Sequence, residues 1–214
     1  GRCIDILEKE MEKSADLEEL KASSRFRKAR RTLLESNAVL KTGTERIKVI
    51  LSSLRSFARL DEAVFQEADL HECLDNTLTL LQHDMKNRIA VVREYGDLPS
   101  VGCNANQINQ VFMNVLANAV QAIEGPGTIT IQTRQDGDHS VVRITDTGPG
   151  IADEDRERIF DPGFTTKGVG VGTGLGLSIC YKILDDHGGT IGVESEAGRG
   201  TTFEIRLPAH PEYS

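Results

Sequence analysis

Residues 104–124 read N-A-N-Q-I-N-Q-V-F-M-N-V-L-A-N-A-V-Q-A-I-E. The spacing is that of a long helix: Ile108, Phe112, Val115, Ala119 and Ile123 recur on one side. On the other side Gln107, Gln110, Asn114, Asn118 and Gln121 follow at intervals of 3, 4, 4 and 3. A helix that merely faced water would carry Lys and Glu there, because both form helices more readily than Asn. Two readings of the stripe stand: its amides bond neighbouring loops, or their oxygens face a hard cation.

On both sides of this helix the period of the apolar residues changes. Leu70–His83 places Leu70, Leu74, Leu78 and Leu81 on one helical face, and Arg88–Tyr95 (R-I-A-V-V-R-E-Y) reads as a strand. Gly127–Arg134 and His139–Asp146 alternate as a hairpin around a turn at Asp136-Gly137. A glycine-rich stretch, 147–174, shows no period, and a helix over Leu175–His187 precedes strands over Thr190–Ser195 and Thr201–Leu207. Two strand pairs are joined by loops too short for crossovers, so the domain is α/β without being doubly wound.

Up to about Leu60 the texture is different, with no proline, one internal glycine (Gly43) and mostly Lys, Arg, Glu, Ala and Leu. Leu40, Gly43, Ile47, Ile50, Leu54 and Phe57 follow heptad spacing, and Ile4, Leu7, Met11, Leu17 and Leu20 form a weaker seam. Two such helices make an antiparallel hairpin too thin to bury both faces, which predicts a homodimer through these N-terminal helices as a four-helix bundle. The basic cluster Lys21, Arg25, Arg27, Lys28, Arg30 and Arg31 lies between the seams. A solvated helix face or an interhelical bend accounts for it better than a docking patch for an acidic partner.

The 214 residues hold 25 Lys+Arg against 33 Asp+Glu, a formal charge of −8. An acidic balance argues against a nucleic-acid clamp, which needs a basic surface. No apolar run approaches the roughly 20 residues of a membrane-spanning helix. Cys3, Cys73, Cys103 and Cys180 are isolated from one another and read as reduced thiols, placing the chain in the cytoplasm, with a parent protein that is free to be membrane-anchored.

Two glycine motifs carry the remaining chemistry. Asp146-Thr147-Gly148-Pro149-Gly150-Ile151 sits at the end of a strand, where glycines let backbone run against something flat and the carboxylate can accept from an exocyclic amine. A plain turn after a strand fits the same residues. In Gly168–Leu177, glycines at 168, 170, 172, 174 and 176 lead into a helix whose first N–H groups suit phosphate oxygens. A flexible linker has the same composition. Neither G-x-x-x-x-G-K-[ST] nor G-x-G-x-x-G after a strand occurs, so P-loop and Rossmann readings fail.

Taken in order, these motifs resemble the ATP-binding domain of sensor histidine kinases, in the superfamily shared with gyrase, MutL and heat-shock chaperone ATPases. Gln110–Ile123 is similar to the asparagine box, Asp146–Ile151 to the first glycine box, Ile159–Lys167 (I-F-D-P-G-F-T-T-K) to the phenylalanine box, and Gly172–Ser178 to the second glycine box. Gly200-Thr-Thr-Phe203 and Leu207-Pro208 resemble the closing strand pair. The resemblance implies an α+β two-layer sandwich, a Bergerat-type mixed sheet with helices on one face, preceded by the helical hairpin. The domains are expected at 1–65 (dimerisation), 66–210 (ATP binding) and 211–214 (tail).

The same resemblance assigns roles. Asn118 would coordinate Mg²⁺, and Asn114 stands where hydrolysing relatives carry a glutamate base, so ATP should be held without fast hydrolysis. Asp146 would bind the adenine amine with Thr201 in support through water, and Gly148, Gly150 and Ile151 would shape the pocket. Phe160 and Phe164 would anchor the lid base, with Thr166 and Lys167 near the phosphates. Gly172, Thr173, Gly174, Leu175, Gly176 and Leu177 would wrap the triphosphate. Many relatives carry a basic residue three positions after the metal-binding asparagine; here it is Gln121. The partner implied is a response regulator receiver domain, phosphorylated by way of a histidine.

An acceptor histidine of this family sits in a His-Glu/Asp-x-x-x-Pro pattern, and none of His71, His83, His139, His187 and His210 does. All five read as surface or capping histidines, and the acceptor is expected upstream of this stretch. The alternative is a non-catalytic ATP-gated module whose nucleotide changes the packing of the helical arm.

Overall fold

The structure is a computed structural model that describes residues 23–37, 65–166 and 174–209. The two heptad seams, Lys167, Gly172, Thr173 and His210 lie outside the described residues. The chain divides into two compact units, Gly1–Arg55 and Ser56–Ser214.

In the first unit a helix, α1, runs over 24–37. Phe26, Ala29 and Leu33 are its least exposed residues, spaced 3 and 4 apart, while Arg25, Arg27, Lys28, Arg30 and Arg31 are exposed. The Arg31–Glu35 pair at 2.7 Å spans one helical turn in water and adds little. Over these residues the cluster is a solvated helix face and not an interhelical bend; Lys21 lies outside the described residues.

The second unit opens with a short strand, β1 (Gln66–Ala68), and helix α2 (Leu70–Met85), capped by Asp69, whose carboxylate accepts from the His71 and Glu72 amides. Strand β2 (Ile89–Tyr95) and a second short strand, β3 (Val101–Cys103), precede the long helix α3 (Ala105–Ala122). Then come β4 (Gly127–Asp136), β5 (His139–Asp146), the single turn α4 (Asp153–Arg156), α5 (Gly176–Asp186), β6 (Thr190–Glu196) and β7 (Gly200–Pro208).

Five strands form one mixed sheet in the order β2-β4-β5-β7-β6, with β2 and β4 parallel and every other pair antiparallel. Alternation puts Ile129, Ile131, Val142, Ile144, Phe203, Ile205 and Leu207 on the face that packs with α2, α3 and α5. Ile108, Phe112, Val115 and Leu116 of α3, all fully buried, form the middle of that core. At roughly 2 kcal/mol for each such side chain, this apolar layer is the main stabilising term. The result is the two-layer α+β sandwich expected from the sequence.

Three details differ from the sequence reading. The β4–β5 pairing runs to Asp136↔His139, so the turn is Gly137-Asp138, one residue later than expected. The strands β1 and β3 pair antiparallel as a separate two-stranded ribbon, which three-residue segments do not announce. Within the glycine-rich stretch, α4 forms one turn.

Candidate active site

The end of β5 brings Asp146 opposite Thr201 of β7, and Thr201 opposite Ser195 of β6, so the three side chains share one face in a row. Asp146 is only 3% exposed, yet carries a carboxylate. Its Oδ1 accepts the Gly148 amide at 2.7 Å. Burial raises its pKa from the usual carboxylate range, while the Gly148 and Thr201 backbones act in the opposite sense. A buried carboxylate held by backbone groups and with lone pairs to spare is suited to a donor such as an amine.

Chain crossings around it need glycine. Gly200 has φ +98°, and a Cβ there would stand 2.0 Å from the Asp146 carbonyl oxygen. Gly150 lies against Glu196, and the neighbouring Pro149 carbonyl accepts the Gly198 amide at 2.7 Å. The Ile151 amide donates to Ser195 Oγ at 2.8 Å, and its side chain packs against the core. The first glycine motif is therefore fastened to the β6–β7 hairpin, beyond what a plain turn requires.

The amide stripe of α3 divides by position. Gln107 is buried, Gln121 is exposed, and Gln110, Asn114 and Asn118 are half-buried. Asn114 Nδ2 donates to the Gly176 carbonyl at 3.1 Å, tying α3 to the first turn of α5. Asn114 thus follows the loop-bonding reading of the stripe, while Asn118 has no side-chain hydrogen-bond partner among the described residues. Its amide oxygen fits a hard cation. No cluster of His, Cys, Asp and Glu among the described residues could hold a metal ion, so a cation at Asn118 would take its other oxygens from a ligand and water.

Helix α5 starts differently from α2 and α3. Asn104 caps α3 by accepting from the Asn106 and Gln107 amides, but no side chain caps α5 at Leu175. A helix N-terminus without a side-chain cap suits anionic oxygens. Just before it, Gly174 (φ +66°) lies so close to Gly163 that a Cβ would fall 2.3 Å from that residue's carbonyl carbon, and the Gly163 amide donates to Gly174 O at 3.0 Å. Phe160 and Phe164 pack against the core, with Tyr181 6.3 Å from Phe160 and the Arg158 guanidinium 4.7 Å above the Phe164 ring. Thr166 is exposed, and Leu177 packs against the core.

Sequence reading missed three supporting residues. Ser195 joins the first glycine motif to Thr201. Arg88 donates to the Val120 carbonyl at 2.9 Å and the Ile123 carbonyl at 2.5 Å, holding the C-terminal end of α3. His187 is neither a surface nor a simple capping residue, being 2% exposed. Its Nδ1–H donates to Ile183 O at 2.7 Å and its Nε2 accepts the Asn104 amide at 3.1 Å. It thereby connects the end of α5 to the start of α3. Burial lowers its pKa, which keeps the ring neutral and the Nε2 lone pair available. Cys180, also buried beside α3, has its pKa pushed up to about 12 by burial and is an inert thiol.

Residues 103–211 match the family of histidine kinase-, DNA gyrase B- and HSP90-like ATPases. The chain belongs to that family. Among curated proteins it is 33% identical over 174 residues to sensor histidine kinase ZraS of Escherichia coli (strain K12), covering 80% of this chain and 37% of ZraS. It therefore spans well under half of that relative. The solved catalytic domain of histidine kinase ThkA is 34% identical and superposes with a TM-score of 0.63, covering 69% of this chain and 97% of that domain. ThkA in complex with response regulator protein TrrA is 26% identical, with a TM-score of 0.66 over 99% of this chain and 58% of ThkA. The second unit is thus an ATP-binding catalytic domain of the histidine-kinase type, the domain used in two-component signal transduction. Among the described residues no helix is long and apolar enough to cross a membrane.

Proposed function

We propose that this chain binds ATP with its adenine amine on Asp146 and its phosphates at the α3–α5 junction, and passes the γ-phosphoryl group to a histidine. The single observation that supports this most is the buried carboxylate of Asp146, whose backbone partners Gly148 and Thr201 leave lone pairs for an amine. Gly148, Gly150, Ile151 and Thr201 bound the base. Gly174, Leu175, Gly176 and Leu177 supply main-chain N–H groups to the phosphates, joined in this proposal by Thr166, Lys167, Gly172 and Thr173. Phe160 seats the segment that precedes them. Asn118 would hold Mg²⁺, which supplies charge neutralisation on the phosphates when bound.

In the transfer the bond from the γ-phosphorus to the β,γ-bridging oxygen breaks and its electron pair leaves on ADP. A P–N bond forms to the acceptor imidazole, whose ring proton passes to solvent. The chain's share is positioning and charge stabilisation, because the phosphoryl group needs little covalent help. Asn114 is an amide, not a base, and its nitrogen is engaged by Gly176 O. It has no means of taking a proton from attacking water, so the bound ATP persists until an imidazole arrives.

In this proposal none of the five histidines supplies that imidazole. The His71 ring lies parallel to Tyr95 at 4.3 Å with Nε2 bonded to Thr133 Oγ1 at 2.8 Å, and His187 is buried. His83 is exposed on α2 and His139 begins β5, in the nucleotide-binding unit itself. We take residues 1–65 as a dimerisation hairpin, the acceptor as lying outside this stretch, and the phosphoryl group as destined for an aspartate of a receiver domain in the cytoplasm.

Labelled ATP mixed with this chain and a fragment carrying a kinase acceptor helix tests this directly. Label should appear on the acceptor fragment as phosphohistidine and not on this chain. Label on one of the five histidines would overturn the assignment of the acceptor. Bound nucleotide without transfer to any acceptor would favour a non-catalytic ATP-gated module.

A further inference from the structure

We infer that Ser195 is a positioning residue that fixes the hydrogen-bond polarity of Thr201 and so contributes to discrimination of adenine from guanine; this rests on reading Asp146 as the base-binding carboxylate. A serine hydroxyl has one proton and two lone pairs. Ser195 Oγ donates to the Gly200 carbonyl at 2.9 Å and accepts the Ile151 amide at 2.8 Å. A third contact, to Thr201 Oγ1, measures 3.0 Å. The Gly200 carbonyl, the nearer of the two acceptors and unable to donate, takes the serine proton. The amide takes one lone pair. Only the second lone pair is left for Thr201, which must therefore be the donor in that contact.

Thr201 then has spent its only proton, and what remains on its oxygen is an acceptor. Asp146, opposite Thr201 in the β5–β7 register, presents an acceptor too. Two acceptors side by side match the exocyclic amine of adenine and oppose the carbonyl that guanine carries at the same position. Where Thr201 acts through a water, that water must donate to the Thr201 oxygen, so the polarity is passed on to the base; at 6% exposure Thr201 is reached by little other solvent. Ser195 touches no base itself. It acts through Thr201 while its other two bonds keep the loop of the first glycine motif against the sheet.

The test compares the affinities of a fluorescent ATP analogue and the matching GTP analogue for the full chain, with Ser195→Ala, Ser195→Thr and Thr201→Val. In Ser195→Ala the Thr201 proton is released to rotate and can serve guanine, so the ATP-to-GTP preference should fall about fivefold, one ordinary hydrogen bond. Ser195→Thr keeps the hydroxyl and should restore the preference. In the Thr201→Val background, Ser195→Ala should change the preference no further. Equal weakening of both nucleotides in Ser195→Ala, with the ratio intact, would reduce Ser195 to scaffolding and overturn the inference while leaving the ATP site standing. Absence of ATP binding to the wild-type chain would overturn the underlying reading and this inference with it. Should Ser195→Ala unfold, the ratio in Ser195→Thr and Thr201→Val decides: an unchanged preference in Thr201→Val overturns the proposal.

Discussion

The two ends of the proposed nucleotide site are built on opposite plans. At the base end nearly every polar group is already engaged: Asp146 with Gly148, Ile151 with Ser195, Ser195 with Gly200 and Thr201, and Pro149 with Gly198. At the phosphate end α5 begins without a side-chain cap, and Asn118 has no partner among the described residues. In the proposed reading, this division lets one domain be specific and still release its product. In the proposed site a pre-bonded pocket would select the base at little ordering cost, whereas the start of α5 and the Asn118 amide would be completed by the phosphates and their ion.

The largest expected effect breaks the base end. Asp146→Asn replaces a charged acceptor with an amide that cannot offer two acceptor oxygens, and ATP affinity should fall about 100-fold, roughly 2.7 kcal/mol. The same change should raise the thermal midpoint without nucleotide at neutral pH. The sign follows from the raised pKa of Asp146 in the folded state. The unfolded carboxyl ionises more easily, so the stability cost builds as pH rises from its unfolded pKa through the raised native one, and it vanishes once acid protonates the unfolded carboxyl as well. Melting curves of both proteins across pH should therefore converge as pH falls.

Gly200→Ala attacks the same corner through the backbone. With φ at +98° and a Cβ 2.0 Å from the Asp146 carbonyl oxygen, alanine should cost about 3 kcal/mol of stability, measurable by urea unfolding. Asn118→Ala sharpens the contrast from the other end: affinity in the presence of Mg²⁺ should drop about tenfold, while affinity in EDTA stays unchanged. Equal losses with and without the ion would remove Asn118 from the metal.

The smallest effect lies between the ends, at His187. Its pKa is depressed below the ordinary 6.5, so the unfolded chain binds the proton first and stability should fall as pH drops below about 6.5. His187→Gln keeps an acceptor for the Asn104 amide and should flatten that part of the pH–stability curve. An unaltered curve would mean that some other group titrates.

Much of this contrast was legible in the residues, and the reason is periodicity. The stripe from Gln107 to Gln121 and the alternation in β4, β5 and β7 are local patterns that sheet and helix geometry impose. Asp146-x-Gly-x-Gly marks a strand end because glycine is needed where chains cross closely. What stayed hidden depends on distant partners. Ser195 is one serine on an alternating strand, and its role exists only through Ile151, 44 positions earlier. His187 precedes two glycines like any helix-end histidine, and its burial is decided by Asn104, 83 positions away. The ribbon β1–β3 pairs segments of three residues, too short for any period to show.

A structure of the chain crystallised with Mg²⁺ and a non-hydrolysable ATP analogue is the most direct examination of the proposed site. The account predicts the adenine amine within hydrogen-bond distance of the free Asp146 oxygen and the triphosphate running along α3 to the first turn of α5. Nucleotide bound elsewhere, or seated with its phosphates at Asp146, would contradict it.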